Sequence, residues 1–226
     1  MAFELDERFE WFLEEFGEPT QYEAASQETL DKYKGKLPDR LLEYWVEYGF
    51  CSFMDGLFFM VNPQEYQGVM ETWLEGRGIM EEDTYYVIAR TGFGDLLLWG
   101  EKTGQKYKIE PKDGVIFQKG DDAKRIAKGK ADEAVAGFFA TKGPDTTDLE
   151  DVDTDKPIFS QAVKQFGALA PDEMFAFVPA MFAGGEQTIV TVDKVNLFVQ
   201  LEILAQMSNR EIQDIHGLAK QAFGAE

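Results

Sequence analysis

A chain of 226 residues, 44% hydrophobic and 14% aromatic, can bury a substantial core, which excludes a disordered protein. Its 42 acidic residues outnumber 22 basic ones, and the formal net charge of −20 disfavours direct contact with nucleic acid or an anionic membrane and favours a cationic partner. One cysteine cannot close an internal disulfide, no apolar run is long enough to span a bilayer, and the acidic start MAFELDERFE is unlike a secretory leader, so a cytoplasmic location is expected.

Leu5, Phe9, Phe12, Leu13 and Phe16 recur at helical spacing with Glu7, Glu10, Glu14 and Glu15 between them, predicting an amphipathic helix ended by Gly17 and Pro19. A polar connection with Tyr22 and Tyr33 leads to a helix that opens at Pro38, lines up Leu41, Leu42, Trp45 and Tyr48, and stops at Gly49. Residues 57–61 read as a short strand. Asn62 then suits an N-cap, because its side-chain oxygen can accept from an otherwise unpaired N–H. Tyr66, Val69, Met70, Trp73 and Leu74 continue that helix until Gly76 and Gly78.

From 85 to 118 the texture becomes β-rich. YYVIAR, DLLLWG, QKYKIE and GVIFQ are punctuated by Gly92, Gly94, Gly104 and Gly114, and Lys112-Asp113-Gly114 carries a hairpin signal, predicting an antiparallel meander of three or four strands. A helix over 130–140 buries Ala134, Val135, Phe138 and Phe139. Between Pro144 and Lys156 stand six acidic residues and no basic one, the composition of a linker. Beyond it, Phe159, Ala162, Val163 and Phe166 make a short helix ended by Gly167, PDEMFAFVPAMFAGGEQ reads as irregular, and QTIVTVD as a strand. Residues 194–206 are apolar on nearly every side, which predicts a buried helix. Ser208 and Glu211 read as a capping box opening a last helix with Ile212, Ile215 and Ala219 inward. The organisation expected is an α+β domain over 1–141, an acidic linker over 142–157 and a mostly helical unit over 158–226.

Residues suited to catalysis are scarce. His216, the only histidine, follows the apolar Ile212 by one turn and reads as packing. Cys51 lies between Phe50 and Ser52 and reads as core. One cysteine and one histidine cannot build a zinc site, and the acids of 142–157 lack the central glycine and terminal glutamate of a calcium loop. Gly92-Phe93-Gly94 is followed by no third glycine and helix start, and in GEKTGQKY the second glycine comes too early and no Lys-Ser/Thr pair follows it, unlike a phosphate loop. Carboxylates are too abundant for their pairing to be informative, so carboxylate-based hydrolysis stays open as an alternative. The expectation is a binding protein with no cofactor, not an enzyme.

LPDRLLEYWVEYGFCSFMDGLFFMVNPQEY resembles a GAD-like domain, with its Leu-Pro helix start, Trp and Gly at the helix end, and apolar strand into Asn-Pro. Followed by RTGFGDLLLW, it is similar to the broader SUKH immunity superfamily. FSQAVKQFGALAPDEMFAFVPAMFAGGEQTIVTVDKVNLFVQLEILAQM resembles the C-terminal domain of type VI secretion immunity proteins through its Phe-Gly-x-Leu, Asp-Glu-Met-Phe-x-Phe-x-Pro and Gly-Gly elements. The resemblance implies a SUKH-like meander packed with helices plus a helical C-terminal unit. It also implies a bacterial immunity protein whose partner is a nuclease toxin, a DNase with a basic surface; it offers no catalytic residues. A SUKH-like regulatory or scaffolding module without a toxin partner is the alternative.

Negative charge suits an inhibitor of an enzyme that holds a polyanion, because complementary fields speed encounter. The candidate partner contacts are Glu81, Glu82 and Asp83 before the meander and Asp121 and Asp122 after it. Asp145, Asp148, Glu150, Asp151, Asp153 and Asp155 follow in the linker, and Glu186 in the Gly184-Gly185-Glu186 loop.

Overall fold

A computed structural model describes residues 5–214. Helix α1 (Glu7–Phe16), strand β1 (Thr20–Glu23), α2 (Gln27–Tyr33) and α3 (Asp39–Tyr48) precede the hairpin of β2 (Phe50–Phe53) and β3 (Phe58–Met60). Then come α4 (Pro63–Leu74), α5 (Ile79–Glu82) and strands β4 (Tyr85–Thr91), β5 (Leu96–Gly100), β6 (Tyr107–Glu110) and β7 (Val115–Gln118). Helices α6 (Ala123–Ile126), α7 (Ala131–Ala140), α8 (Pro144–Thr147) and α9 (Ile158–Phe166) lead to β8 (Glu173–Phe177), β9 (Val192–Asn196), α10 (Leu197–Met207) and β10 (Glu211–Asp214).

Strands β1 to β7 pair antiparallel in chain order, and β10 completes an eight-stranded sheet by lying parallel to β7. Strands β8 and β9 form a separate antiparallel pair. Local chemistry sets the elements as the sequence suggests. Asp6 accepts from the Phe9 N–H at the start of α1, Asn62 accepts from the Gln64 N–H at the start of α4, and Gly114 supplies the positive φ of 67° between β6 and β7.

Neighbouring side chains on a strand point to opposite faces, and β3 uses this directly. Phe58 meets Phe12 and Phe16 of α1 and Phe139 of α7, with α3 also packed on α7. Phe59 lies on the other face, its ring centre 3.5 Å from the Arg90 guanidinium. There α4 and α10 cover the sheet: Tyr66 meets Phe198 at 5.2 Å, and the Trp73 indole N–H donates to Leu201 O at 3.1 Å. One buried apolar cluster runs from Phe9 to Ala205, so the C-terminal part shares the core of the sheet. Gly92 marks the closest approach, since a Cβ there would stand 2.3 Å from the Phe159 ring and 2.6 Å from Gly56 O.

Several expectations change. Residues 142–157 are folded, not a linker. Asp148 Oδ1 accepts from Leu149 N at 2.7 Å and Phe159 N at 2.9 Å, and Glu150 and Pro157 pair across an antiparallel bridge. The run expected to be irregular contains β8, and the strand expected over QTIVTVD starts only at Val192. Helix α10 is amphipathic: Leu197, Leu201, Leu204 and Ala205 are buried, whereas Val199 (60% exposed), Ile203 (44%) and Met207 (61%) form a solvent-facing row. Helical periodicity cannot tell a buried face from a merely apolar one. Ser208 and Glu211 open no helix, because residues 211–214 extend along the free edge of β7, a partner more than ninety residues earlier in the chain. Ile215, His216 and Ala219 lie outside the described residues.

Candidate functional site

Cys51 is fully buried, and burial pushes its thiol up to about 12, far from a nucleophilic thiolate. Among the described residues, no group of three or more His, Cys, Asp or Glu is placed to hold a metal ion, and no helix is long and apolar enough to cross a membrane. Lys142 is the most perturbed base: burial, with Lys119 and Lys108 adding to it, lowers its amine to about 7. Its ammonium lies 4.8 Å from the centre of the Phe138 ring, beside the end of α7. A concavity by the N-terminus is lined by Arg8, Arg40, Asp6, Glu7, Asp132 and Glu133, and both of its arginines are engaged. Arg40 pairs with Asp6 and Glu43, and Arg8 donates to Glu133 O.

A groove of about 600 Å³ has a different character. Met54 and Leu57, between β2 and β3, form one wall; Pro144, Leu149, Pro157, Phe159 and Val163, from α8 to α9, form the floor and the other wall. Asp55, Asp145, Asp148 and Glu150 stand around it, with Ser160 and Lys164. The lining is therefore apolar with an acidic rim. Leu57 and Phe159 are buried, whereas Met54 is 45% exposed at the lip.

Backbone strain is concentrated at that lip. Met54 (φ 48°) and Asp55 (φ 57°) both adopt the left-handed region, which disfavours residues with a Cβ. The conformation is held from below: Leu169 N–H donates to Asp55 O at 3.0 Å, and Gly56 packs so tightly that a Cβ would stand 2.8 Å from Leu169 and 2.9 Å from the Phe59 ring. The opposite wall is fixed by its own carboxylates. Asp148 caps the approach to α9; burial raises its carboxyl above the usual aspartate value against the pull of three backbone N–H groups, and Asp145 adds to the rise. Asp151 is buried, accepting from the N–H groups of Asp153, Thr154 and Ile189, and these bonds, that from Ile189 first, hold its carboxyl below the usual range.

The twelve candidate acids thus divide by role. Asp145 and Glu150 are exposed on the groove and Asp148 is part-buried there; Asp153, Asp155 and Glu186 are exposed on the adjoining loops, where Gln187 donates to Glu150 O. Asp151 is structural. Around the turn from β5 to β6 the second set gathers, but its charges are occupied. Asp83 is buried and accepts from Thr84 N, Lys102 N, Thr103 N and the Thr103 hydroxyl, and Glu82 bonds Lys106 and Tyr107. Asp122 is half-buried with Arg125 beside it, while Glu81 and Asp121 are exposed. Sequence reasoning missed Met54, Asp55, Leu149, Pro157 and Val163. The Met-Asp-Gly turn after an apolar strand was the one local signal available for the lip.

Comparison with known families returns two matches. Residues 7–112 match the GAD-like domain, and residues 132–208 match the C-terminal domain of the T6SS immunity protein Tdi1. Among solved structures, the crystal structure of Atu4351 from Agrobacterium tumefaciens has a similar fold, with a TM-score of 0.76, 19% identity and 92% of each chain covered. None of the curated proteins matches the sequence.

Proposed function

We propose, from the premise that this chain joins a GAD-like domain to a Tdi1-type C-terminal domain of type VI secretion immunity proteins, that it binds and neutralises a cognate secreted toxin in the bacterial cytoplasm. The toxin is a DNase, and the inhibitor acts without catalysis, laying an acidic face over a basic, DNA-holding surface. The observation that carries this reading is the acid-rimmed apolar groove, lined by Asp55, Asp145, Asp148 and Glu150 together with Leu57, Leu149 and Val163. Apolar anchors within a polar rim are the usual make-up of a tight protein interface, and the net charge of −20 speeds approach to a cation-rich partner.

The test is to mix the purified chain with a purified nuclease domain from a candidate cognate type VI secretion effector. At equimolar ratio DNA cleavage should cease, and the association rate should fall steeply with added salt. The double variant Asp145→Lys/Glu150→Lys should slow association at low salt by about tenfold or more. Absence of any complex at low ionic strength would remove the proposal.

A further inference from the structure

Resting on that reading, we infer that the groove between the Met54–Asp55 lip and the 144–164 segment receives an arginine of the toxin flanked by aliphatic side chains. The guanidinium sits among Asp55, Asp145 and Glu150, and an aliphatic neighbour sits on Leu57, Leu149 and Val163.

Three observations lead there. First, the carboxylates of Asp55, Asp145 and Glu150 have no ion pair within 4.0 Å and no side-chain hydrogen bond among the described residues, whereas Glu82, Glu110 and Glu173 are each paired with a lysine. Like charges lining one groove repel, and a cation placed among them reduces that repulsion. The one cation lining the groove, Lys164, forms none of the ion pairs present.

Second, the volume of about 600 Å³ falls within the ~300–1,000 Å³ of small-ligand sites, room for about two or three side chains rather than a folded element. The walls are apolar below and charged above. A flexible methionine, Met54, stands exposed at the edge, the side chain best able to mould to another aliphatic group. A guanidinium suits such a place better than an ammonium. It is planar and weakly hydrated, lies flat on apolar surface, and presents five donors that address several carboxylates together.

Third, both walls are preorganised. The left-handed Met54 and Asp55 are held by the Leu169–Asp55 hydrogen bond, and the opposite wall by Asp148 and Asp151. A rim already ordered loses little entropy on binding. Phosphate is not an occupant, because Asp55, Asp145 and Glu150 line the opening with carboxylates.

The probe is the blocked tripeptide Leu-Arg-Leu, with Leu-citrulline-Leu as its uncharged isostere, titrated to millimolar concentration into the 15N-labelled full chain. Saturable shifts are expected at the amides of Met54, Leu57, Leu149 and Val163, about tenfold weaker for the citrulline peptide and lost in Asp145→Asn/Glu150→Gln, a variant whose fold is checked by its urea midpoint. Equal binding of the two peptides, or shifts confined to another surface, overturns the inference; so does an unchanged peptide affinity in the folded variant. Should the variant unfold, Leu149→Glu takes its place. Capture of the nuclease is measured separately: a wild-type chain that stops the toxin but ignores the arginine peptide sinks this inference and leaves the immunity reading standing. Failure to bind the toxin at all sinks that reading instead.

Discussion

Replacement of Arg90 by methionine tests what joins the N-terminal sheet to the C-terminal segment. Arg90 is fully buried on β4, yet no carboxylate pairs with it among the described ion pairs. Its Nε donates to Tyr66 Oη at 3.0 Å, its Nη1 to Thr91 O at 3.2 Å and its Nη2 to Pro171 O at 2.9 Å, with Ala170 O at 3.5 Å. The guanidinium also covers the Phe59 ring. Methionine matches the length but leaves the buried Tyr66 Oη without its donor and removes one charge-assisted bond each from Thr91 O, which keeps the Gly94 N–H, and from Pro171 O near the surface, at about 1–2 kcal/mol each, while it relieves the desolvation cost of the charge. The net loss is about 2–4 kcal/mol. With a urea m-value of about 3 kcal/mol/M for a chain of this size, the midpoint drops by about 1 M. Trp45, Trp73 and Trp99 are buried and give the fluorescence signal. Arg90→Lys should fall by a similar amount, because an ammonium cannot reach both Tyr66 and Pro171. A methionine variant as stable as the wild type, or more so, would refute the reasoning: desolvation would then outweigh the hydrogen bonds.

The other predictions separate structural acids from surface acids and follow the titrations. Asp83→Ala should cost about 2–4 kcal/mol, because it orphans the Lys102 and Thr103 donors, whereas the exposed Glu81→Ala should leave the urea midpoint unchanged. Lys142→Met should stabilise the fold by about 1–2 kcal/mol at pH 6, discounted for partial exposure. A lysine lowered to about 7 in the folded state binds fewer protons than the unfolded chain between pH 7 and its ordinary value, so the wild type gains stability as pH rises there. The advantage of Lys142→Met should therefore shrink from pH 7 to pH 10; a constant advantage would show that packing, not charge, is its cause. Asp151 has its carboxyl held below the ordinary value, so its contribution is present at neutral pH and lost as pH falls through that lowered value. Thermal melts of Asp151→Asn and wild type should differ at pH 6 and converge as the pH falls below the ordinary aspartate value of about 3.9.

Much of the fold was legible where the controlling interaction is local. The Asn62 cap, the spacing of Tyr66 to Leu74, and the Gly114 turn act within a few residues, and α4 and the β4–β7 meander follow. Strand β1 and strand β10 were not legible, because each exists through a distant partner, β2 and β7 respectively. The acids of 142–157 misled for a related reason. Their composition is that of a solvated linker, but Asp148 and Asp151 are spent on backbone N–H groups of Phe159 and Ile189, eleven and thirty-eight residues away. The candidate site was legible in part: Asp145, Asp148 and Glu150 were named from charge alone, but the apolar floor and Asp55 come from three separate stretches that only the folded chain brings together.

That division of labour among neighbouring acids bears on how the chain would gain affinity in the inhibitory role proposed above. A flexible acidic segment would attract a basic enzyme, but ordering it on contact would consume much of the attraction. Here Asp148 and Asp151 point inward and fasten the segment, so Asp145 and Glu150 stay outward on a rigid wall. The strained Met54–Asp55 turn does the same on the facing wall through Leu169 and Gly56. Electrostatic attraction then governs how fast a cationic partner arrives, and the apolar floor governs how slowly it leaves. Loosening the inner acids should therefore weaken toxin binding mainly through loss of order, leaving its salt dependence intact, whereas removing the outer acids should flatten the salt dependence itself.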